Sequence, residues 1–562
     1  MKRFMSLAML LIAAMLVLSA CGGNNVPPPD TPEPAATDAQ EQEPAEPEVP
    51  VSESAYVPPA ADVEGELTIM MWSGDGSFMQ DIGHKDYAPE DILGQNQAAA
   101  YATAKEFNKL YPNVKINIYA KTGDPNQDGV SWAQYRENFR LEYGIYPDLF
   151  AATDLPGDVE KGMIADISVF ADDPVYQNFN PAVMAMMNYD GRQFGLPQYL
   201  LPWGVFVNYT LAEANNIDIP PTDWNIDEYT SFTANSSPNE YYGAMDAELD
   251  ILRTATQDFV YSLVYREPDE PYVNFNSDAM RDVLTYIPVW SNNAVYPQND
   301  LGLVSEEFML SGDNWSFNFF KNGDLLTLSR DPWMMGDLAN PTEGHWGAAQ
   351  FAGWDIYPRP SNDYVGNHIG VVLDPFAIHN YAMDDGDPAL SDEEYAKLQI
   401  AYEFAKFWCG DTAAWQARAE QQFSDQGTLR TALNDSLPLV TGPEFDNQME
   451  IWYTLPTHQR FGDADKMPGF QKVLELWEAG QFWDVSDKSY PWTYDFEGAA
   501  RNITYEWDNS WNIDVTGAVR TDANWLDQVY SKLPDWNEQF NLRWAEKFVL
   551  VEEALEKYYA RD

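Results

Sequence analysis

Residues 66–72 read ELTIMMW and lead into the turn SGDG at 73–76. A short apolar run that ends in a Gly-rich turn is typical of a buried strand. The pattern continues with apolar residues at helical spacing over 96–110, an alternating strand over 114–119, an amphipathic helix over 131–143 and a strand over 147–151. This alternation of strand and helix predicts a parallel sheet covered by helices, which binds ligands at the carboxyl ends of its strands.

The chain has 562 residues and a strongly acidic composition, with 89 Asp and Glu against 32 Lys and Arg and a formal net charge of −57. Nucleic-acid binding needs clustered Lys and Arg, so this composition excludes a nucleic-acid partner. A hydrophobic content of 45% supports a large core, and the length predicts two or more domains or one large bilobed unit. The two cysteines, Cys21 and Cys409, are too few for a disulfide scaffold or a Cys-based zinc site.

Residues 1–21 have the pattern of a secretory signal. Basic residues at 2–3 precede an apolar run over 4–18, and the sequence LSAC at 18–21 closes it. Those four residues resemble the lipobox of bacterial lipoproteins, whose cysteine carries a diacylglyceryl group and becomes the mature N-terminus. The resemblance implies that lipidated Cys21 attaches the protein to the extracellular face of the cell membrane. An uncleaved anchor helix is the alternative.

Residues 22–61 differ in composition from the rest of the chain. They contain ten prolines, eight carboxylates and no Lys or Arg. Such a segment cannot bury enough apolar surface to offset the entropy lost on ordering. We therefore expect a disordered stalk, which keeps the folded body tethered to the membrane but away from its surface.

Several segments resemble, in order, the extracellular solute-binding proteins (family 1 type) of carbohydrate-uptake ABC transporters. In the first part of the chain they are LTIMMWSGD (67–75), FNKLYPNV (107–114), PDLFAATD (147–154) and GMIADI (162–167). Further on they are YDGRQFGLPQYLLPWGVFVN (189–208), KNGDLLTLSRDPW (321–333), residues 356–360 and GVVLDPFAIHN (370–380). The similarity extends from residue 66 to about 420, and its specificity lies in the order of the segments.

The resemblance implies an α/β fold with two lobes, a periplasmic-binding-protein-like clamp of type II. Each lobe would be a mainly parallel sheet covered by helices, with a helical extension at the C-terminus. Residues 62–203 and 370–445 would form the first lobe, and residues 204–369 and 446–562 the second. Such a protein is not an enzyme: it would close as a monomer on an oligosaccharide and deliver it to the permease subunits of an ABC transporter.

Sugar binding favours particular side chains, because carboxylates accept hydrogen bonds from hydroxyls and aromatic rings cover the C–H faces. Asp75 and Asp154 follow predicted strands, and Trp333 lies in a Pro-containing turn; all three match positions where the resembled family binds sugar. A turn or helix-capping role is the alternative for the two aspartates. Four weaker candidates, for which core packing is the alternative, are Trp72, Tyr199, Trp203 and Trp354.

A calcium-like string begins at Asp124. Asp124, Asn126 and Asp128 stand at ligand positions one, three and five of an EF-hand loop, and Gly129 stands at the turn position. Position twelve is Tyr135, where a bidentate Glu belongs. A structural calcium site is therefore one interpretation, and a plain loop joining a strand to a helix is the other; no further cofactor is expected.

Catalytic motifs are absent from the sequence. It has no Gly-x-Ser-x-Gly elbow, His-Glu-x-x-His helix, P-loop or Gly-x-Gly-x-x-Gly, and its five histidines lack ligand spacing. Cys409 lies among aromatic residues at helical spacing, which indicates a packing thiol rather than a nucleophile. Two alternatives to an oligosaccharide-binding protein stay open: a binding protein for another solute, and a secreted glycoside hydrolase or lyase that uses two of the many carboxylates.

Overall fold

The computed structural model describes residues 56–559 apart from 73–77, 93, 122–131, 247–270, 272–273, 275, 330, 340–346, 385, 387–388, 426 and 485–524. Five of the residues singled out from the sequence lie outside these ranges: the lipidation candidate Cys21, the sugar-binding candidate Asp75 and the calcium candidates Asp124, Asn126 and Asp128.

The strands, in chain order, are β1 Gly65–Trp72, β2 Phe78–Met79, β3 Val114–Lys121, β4 Leu149–Ala151, β5 Asn188–Tyr189, β6 Arg192–Gln193, β7 Leu196–Trp203, β8 Val205–Asn208, β9 Thr327–Leu328, β10 Trp354–Tyr357, β11 Ile369–Ile378, β12 Gln422–Asp425, β13 Thr428–Thr431 and β14 Phe482–Asp484.

The α-helices are α1 Gln95–Leu110, α2 Trp132–Tyr143, α3 Leu155–Glu160, α4 Pro174–Gln177, α5 Pro181–Ala185, α6 Tyr209–Ala214, α7 Ile226–Thr233, α8 Asp278–Leu284, α9 Ile287–Asn292, α10 Val295–Asp300, α11 Glu306–Ser311, α12 Ser316–Asn322, α13 Met335–Ala339, α14 Asp392–Gly410, α15 Thr412–Glu420, α16 Pro443–Thr454, α17 Pro468–Glu478 and α18 Trp525–Tyr558. Short 3₁₀ helices are Pro89–Asp91, Ile167–Phe170, Pro332–Met334, Tyr381–Met383 and Gln459–Gly462.

A seven-stranded sheet forms the core of the first lobe. β3 and β4 flank β1 in parallel, and β2 pairs antiparallel with the outer side of β3. On the other side of β4 runs β11, which is antiparallel to β4 and β7 and parallel to β14. The predicted strand-helix alternation over residues 66–151 is confirmed, and so is the parallel pairing that it implied.

Local sequence explains why these elements form. Residues 67–71 of β1 are buried, as expected for a strand covered on both faces. α1 packs close to the sheet because its buried positions include the small residues Ala98, Ala99 and Ala100. The helix ends at Leu110, since Tyr111 precedes a proline and adopts a non-helical conformation, with φ −127° and ψ 75°.

The second lobe contains a smaller sheet of three strands in the order β10-β8-β9. Both pairings are antiparallel. The expectation of a mainly parallel sheet in each lobe is therefore wrong for this lobe. The reason is topological: β8 enters this lobe from β7 through one residue, whereas β10 leads back to β11 of the large sheet, so these two neighbours run in opposite directions.

Three details differ from the division of the chain predicted from sequence. β14, within the range assigned to the second lobe, pairs with β11 of the large sheet. α18, also within that range, contacts elements of both lobes. The end of the predicted stalk belongs to the folded body, because the Tyr56 hydroxyl donates to Glu403 and Gln399 Nε2 donates to the Val57 carbonyl over 2.6 Å.

Cys409 is buried in α14. Burial raises the pKa of its thiol well above the usual range. A thiol that stays protonated is a poor nucleophile, which agrees with the packing role expected from the sequence.

Candidate functional site

Two of the predicted residues leave the large sheet at the same edge. β1 and β4 are parallel neighbours, with Met70 opposite Phe150. Trp72 ends β1, and Asp154 follows the end of β4 by three residues. Because the carboxyl ends of parallel strands meet at one edge, both residues stand where ligands bind in open α/β sheets.

Trp72 belongs to an aromatic cluster around a buried ammonium group. Its ring meets Trp132 edge-on, with the centroids 5.0 Å apart. Lys121, at the end of β3, is fully buried and places Nζ 4.5 Å from the Trp72 ring, 5.0 Å from Trp132 and 4.0 Å from Tyr135. Cation–π attraction of this kind holds the half-buried Trp72 ring in a defined position.

Asp154 caps the first turn of α3. Its carboxylate accepts a hydrogen bond from the Gly157 amide over 3.0 Å, and its side chain is 6% exposed. Gly157 has no room for a side chain, since a Cβ there would lie 2.0 Å from Asp154 Oδ2. The helix-capping alternative is thus realised, while sugar binding by Asp154 stays a prediction.

Two chain passages connect the lobes side by side. The first runs from β7 through Gly204 into β8, and a Cβ at Gly204 would lie only 2.5 Å from the Tyr357 carbonyl oxygen. The second runs from β10 to β11 and contains the buried Arg359, whose Nε donates to the Trp203 carbonyl over 3.3 Å. Gly370 admits this guanidinium, because a Cβ there would be 2.7 Å from Nη2.

The segment that carries Trp333 contacts Trp203 at the first of these passages. The Trp203 indole nitrogen donates to the Ser329 carbonyl, immediately after β9. The chain then turns through Asp331, which has a positive φ of 60° and accepts a hydrogen bond from the Ser316 hydroxyl over 2.8 Å. The next residues form the 3₁₀ helix Pro332–Met334. The turn therefore holds Trp333 next to the first interlobe passage.

Trp333 is the most open of the described candidates. Its side chain is 50% exposed, although Pro332 and Met334 on either side are buried. A ring that is fixed on one side and open on the other can stack against the C–H face of a sugar.

Trp354 and Tyr199 pack inside the lobes. Trp354 is 1% exposed and lies between the rings of Phe206 and Phe461, with the Arg460 guanidinium 4.5 Å from its centroid. Its assignment as a ligand contact is wrong for this structure, because the core encloses the ring. The half-buried Tyr199 donates its hydroxyl to Asn96 Oδ1 over 3.1 Å, and burial raises its pKa.

The sequence did not reveal a buried polar network between the lobes. Asp337 of α13, which lies between β9 and β10 of the small sheet, accepts a hydrogen bond from Arg430 of β13 over 3.1 Å. Asp435 lies 2.7 Å from His458 Nε2 and accepts a hydrogen bond from the Gly336 amide over 3.2 Å. Burial raises the pKa of Asp337 to about 6, and Arg430 offsets only part of that effect.

The predicted calcium site can be compared with the side chains that the structure describes. No group of three or more His, Cys, Asp or Glu in the described ranges is arranged to hold a metal ion. The calcium prediction at residues 124–128 lies outside those ranges and stays a prediction.

Comparison with known proteins shows which fold this chain shares, at low sequence identity. No protein-family model matches the chain, and no curated protein matches it. Among solved structures, the chain is similar to an ABC substrate-binding protein from Listeria monocytogenes in complex with cycloalternan, at 17% identity and a TM-score of 0.52, covering 84% of this chain and 99% of that one.

Two further structures agree. The cyclic α-maltosyl-1,6-maltose binding protein from Arthrobacter globiformis shares 15% identity at a TM-score of 0.52, covering 86% of this chain and 99% of that one. The sugar-binding protein MalE from Xanthomonas citri shares 15% identity at a TM-score of 0.51, covering 87% of this chain and 99% of that one.

This chain has the two-lobed fold of the solute-binding proteins of ABC transporters. The fold expected from the sequence is thereby confirmed. Among the described residues, none of the helices combines the length and the apolar character of a membrane span.

Proposed function

We propose that this protein is the extracellular solute-binding component of an ABC importer and that it binds an oligosaccharide between its lobes. The observation that carries the proposal is the half-exposed Trp333 ring, held beside the passage where Trp203 connects the lobes. The fold supports a binding role, and two structures that share it bear cyclic oligosaccharides in their names, cycloalternan and cyclic α-maltosyl-1,6-maltose. A carbohydrate ligand agrees with a half-exposed aromatic ring such as that of Trp333 and with a carboxylate at the carboxyl end of β4 such as that of Asp154.

Calorimetry with a glycan panel tests this function. Heat of binding with an unchanged glycan supports an oligosaccharide-binding protein. Failure to bind any glycan favours a binding protein for another solute, and shortened products favour the glycoside hydrolase or lyase alternative. The panel should include linear and cyclic α-glucans, because the two named ligands are of the cyclic kind.

Closure on the ligand supplies the signal that a permease would read. A ligand can shift the equilibrium between open and closed forms only if it binds the closed form more tightly. A sugar that contacts Trp333 and the first lobe at once has that property. Small-angle scattering should therefore give a smaller radius of gyration with saturating sugar than without it, and an unchanged radius would argue against a hinged clamp.

The lipid anchor rests on the lipobox-like residues 18–21. Cys21→Ala removes the sulfur that would carry the lipid, so the variant should move from the membrane fraction to the soluble fraction. Cys409→Ala is the matched control, because it removes a buried thiol and leaves the lipobox intact. Membrane fractionation of Cys21→Ala identical to that of the control would contradict lipidation at Cys21.

A further inference from the structure

α18 is the longest helix of the described chain. It has 34 residues, which corresponds to about 51 Å at about 1.5 Å per residue. A helix of that length is long enough to reach from one lobe to the other. Its contacts show which elements it touches at each end.

The beginning of α18 packs on the second lobe. Val529 and Leu533 are buried, and the Tyr530 hydroxyl donates to the Arg281 carbonyl of α8 over 2.7 Å. The Arg281 guanidinium also lies 5.0 Å from the Tyr530 ring. α8 belongs to the second lobe, since it leads into α9, whose Trp290 indole nitrogen donates to the Thr230 hydroxyl of α7 over 2.9 Å.

The end of α18 packs on the first lobe. Leu555 is 5% exposed, and Tyr559, immediately after the helix, is 7% exposed. The Tyr559 hydroxyl donates to the Ile164 carbonyl over 2.8 Å, and its own carbonyl accepts from Arg192 Nε over 3.1 Å. The Tyr559 ring meets Phe194 edge-on at 4.9 Å.

The side chains that the structure describes in the middle of α18 are more exposed. Of the side chains described over 534–550, none is buried, and Leu542, Val549 and Leu550 are 59%, 48% and 43% exposed. The buried side chains described in α18 therefore lie toward its two ends. Pro534 stands just after the buried Leu533, and a proline there removes one helical hydrogen bond and favours a bend.

We propose that α18 is a brace between the lobes, with Pro534 as its joint. A helix fixed at both ends limits how far the lobes separate, unless one end leaves its site and exposes apolar surface such as Leu555. The joint lets the brace change direction at the second lobe while the rest of the helix stays straight. This role does not depend on which solute the cleft takes, and its test needs no ligand.

Pulsed EPR distances between the lobes test the brace. Spin labels at Glu306→Cys on α11 and Glu393→Cys on α14 use exposed positions in different lobes, in the full chain carrying Cys21→Ala, where Cys409 is buried. Leu555→Ala with Tyr559→Ala releases the first-lobe end. The matched control is Leu542→Ala with Leu550→Ala, two exposed positions on the same helix.

The released variant should show a broader distance distribution that extends to longer distances, while the control keeps the parent distribution. Hydrogen exchange over residues 551–559 verifies the release. A released end with an unchanged distribution overturns the proposal, and so does a control that broadens equally. Pro534→Ala is a second test, which leaves the end contacts of α18 in place. Without the proline the helix should be continuous and stiffer, so the interlobe distance distribution should become narrower. A broader distribution would refute the assignment of Pro534 as a joint.

Discussion

Removing the Trp333 ring should weaken sugar binding strongly and destabilise the protein only modestly. A Trp side chain covers about 200 Å², and half of this one is open. Covering roughly 100 Å² at about 25 cal/mol per Å² contributes about 2.5 kcal/mol, close to 60-fold in Kd. Because part of that area stays in contact with water, we expect Trp333→Ala to lose roughly tenfold to sixtyfold in affinity.

Calorimetry and thermal unfolding of the same samples measure both effects. Tyr395→Ala is the matched control, since it removes a ring of comparable exposure, 41%, from α14 of the first lobe. Trp354→Ala supplies the contrast, because truncating a fully buried Trp costs about 3–5 kcal/mol of stability. Affinity of Trp333→Ala within twofold of the parent, together with a melting loss like that of Trp354→Ala, would refute the placement of Trp333 in the binding site.

Three further predictions concern stability. Asp355 accepts hydrogen bonds from the amides of Gly469 and Phe470 at the start of α17, so Asp355→Asn should cost about 1–3 kcal/mol in denaturant unfolding at about pH 4, where the buried carboxyl is uncharged, whereas the exposed Asp465→Asn should cost almost nothing. Burial raises the pKa of Asp355 and Asp337 to about 6 from 3.8, so the folded state holds these protons more tightly than the unfolded state. Their stabilisation is complete below the lower value and is lost as the pH rises through the higher one, by up to about 3 kcal/mol each. The free energy of unfolding, measured at several pH values, should depend less on pH when both residues are Asn than it does in the parent. An equal pH dependence in the parent and the double variant would contradict this reasoning. The ion pair of Arg136 with Asp158 is buried, so Asp158→Asn should cost about 3–5 kcal/mol, and Arg136→Met in the same chain should recover much of it.

Elements with strong local patterns could be predicted from the sequence. The apolar run at 66–72 became β1, and the helix predicted over 96–110 became α1 with a difference of one residue at its start. Burial on both faces and helical spacing act over a few residues, so a single sequence displays them. The sequence could not predict the antiparallel pairing of the small sheet, because β8, β9 and β10 are far apart in the chain and each is at most four residues long.

The candidate site was predictable only where a local turn exposes a side chain. Trp333 follows a strand in a Pro-containing turn, and the structure leaves its ring half open there. Trp354, a weaker candidate from the sequence, begins β10 and is enclosed, because Phe461 reaches it from more than a hundred residues further along the chain. A local pattern carries no information about such distant neighbours.

Contacts between the lobes also join residues that are distant in sequence. They bear directly on the proposed function. Arg430 and Asp337 are 93 residues apart in sequence. Tyr559, which attaches the end of α18 to the first lobe, is 395 residues from its partner Ile164. Contacts between lobes must come from distant parts of a chain that passes between them more than once, so they are the contacts that sequence patterns miss. In the proposed clamp they are the contacts that a hinge motion would break or preserve, since each lobe would move as a rigid body. The proposal therefore predicts that contacts such as those of Asp435 and Leu555 oppose or assist closure, and that solute affinity depends on side chains that the solute never touches.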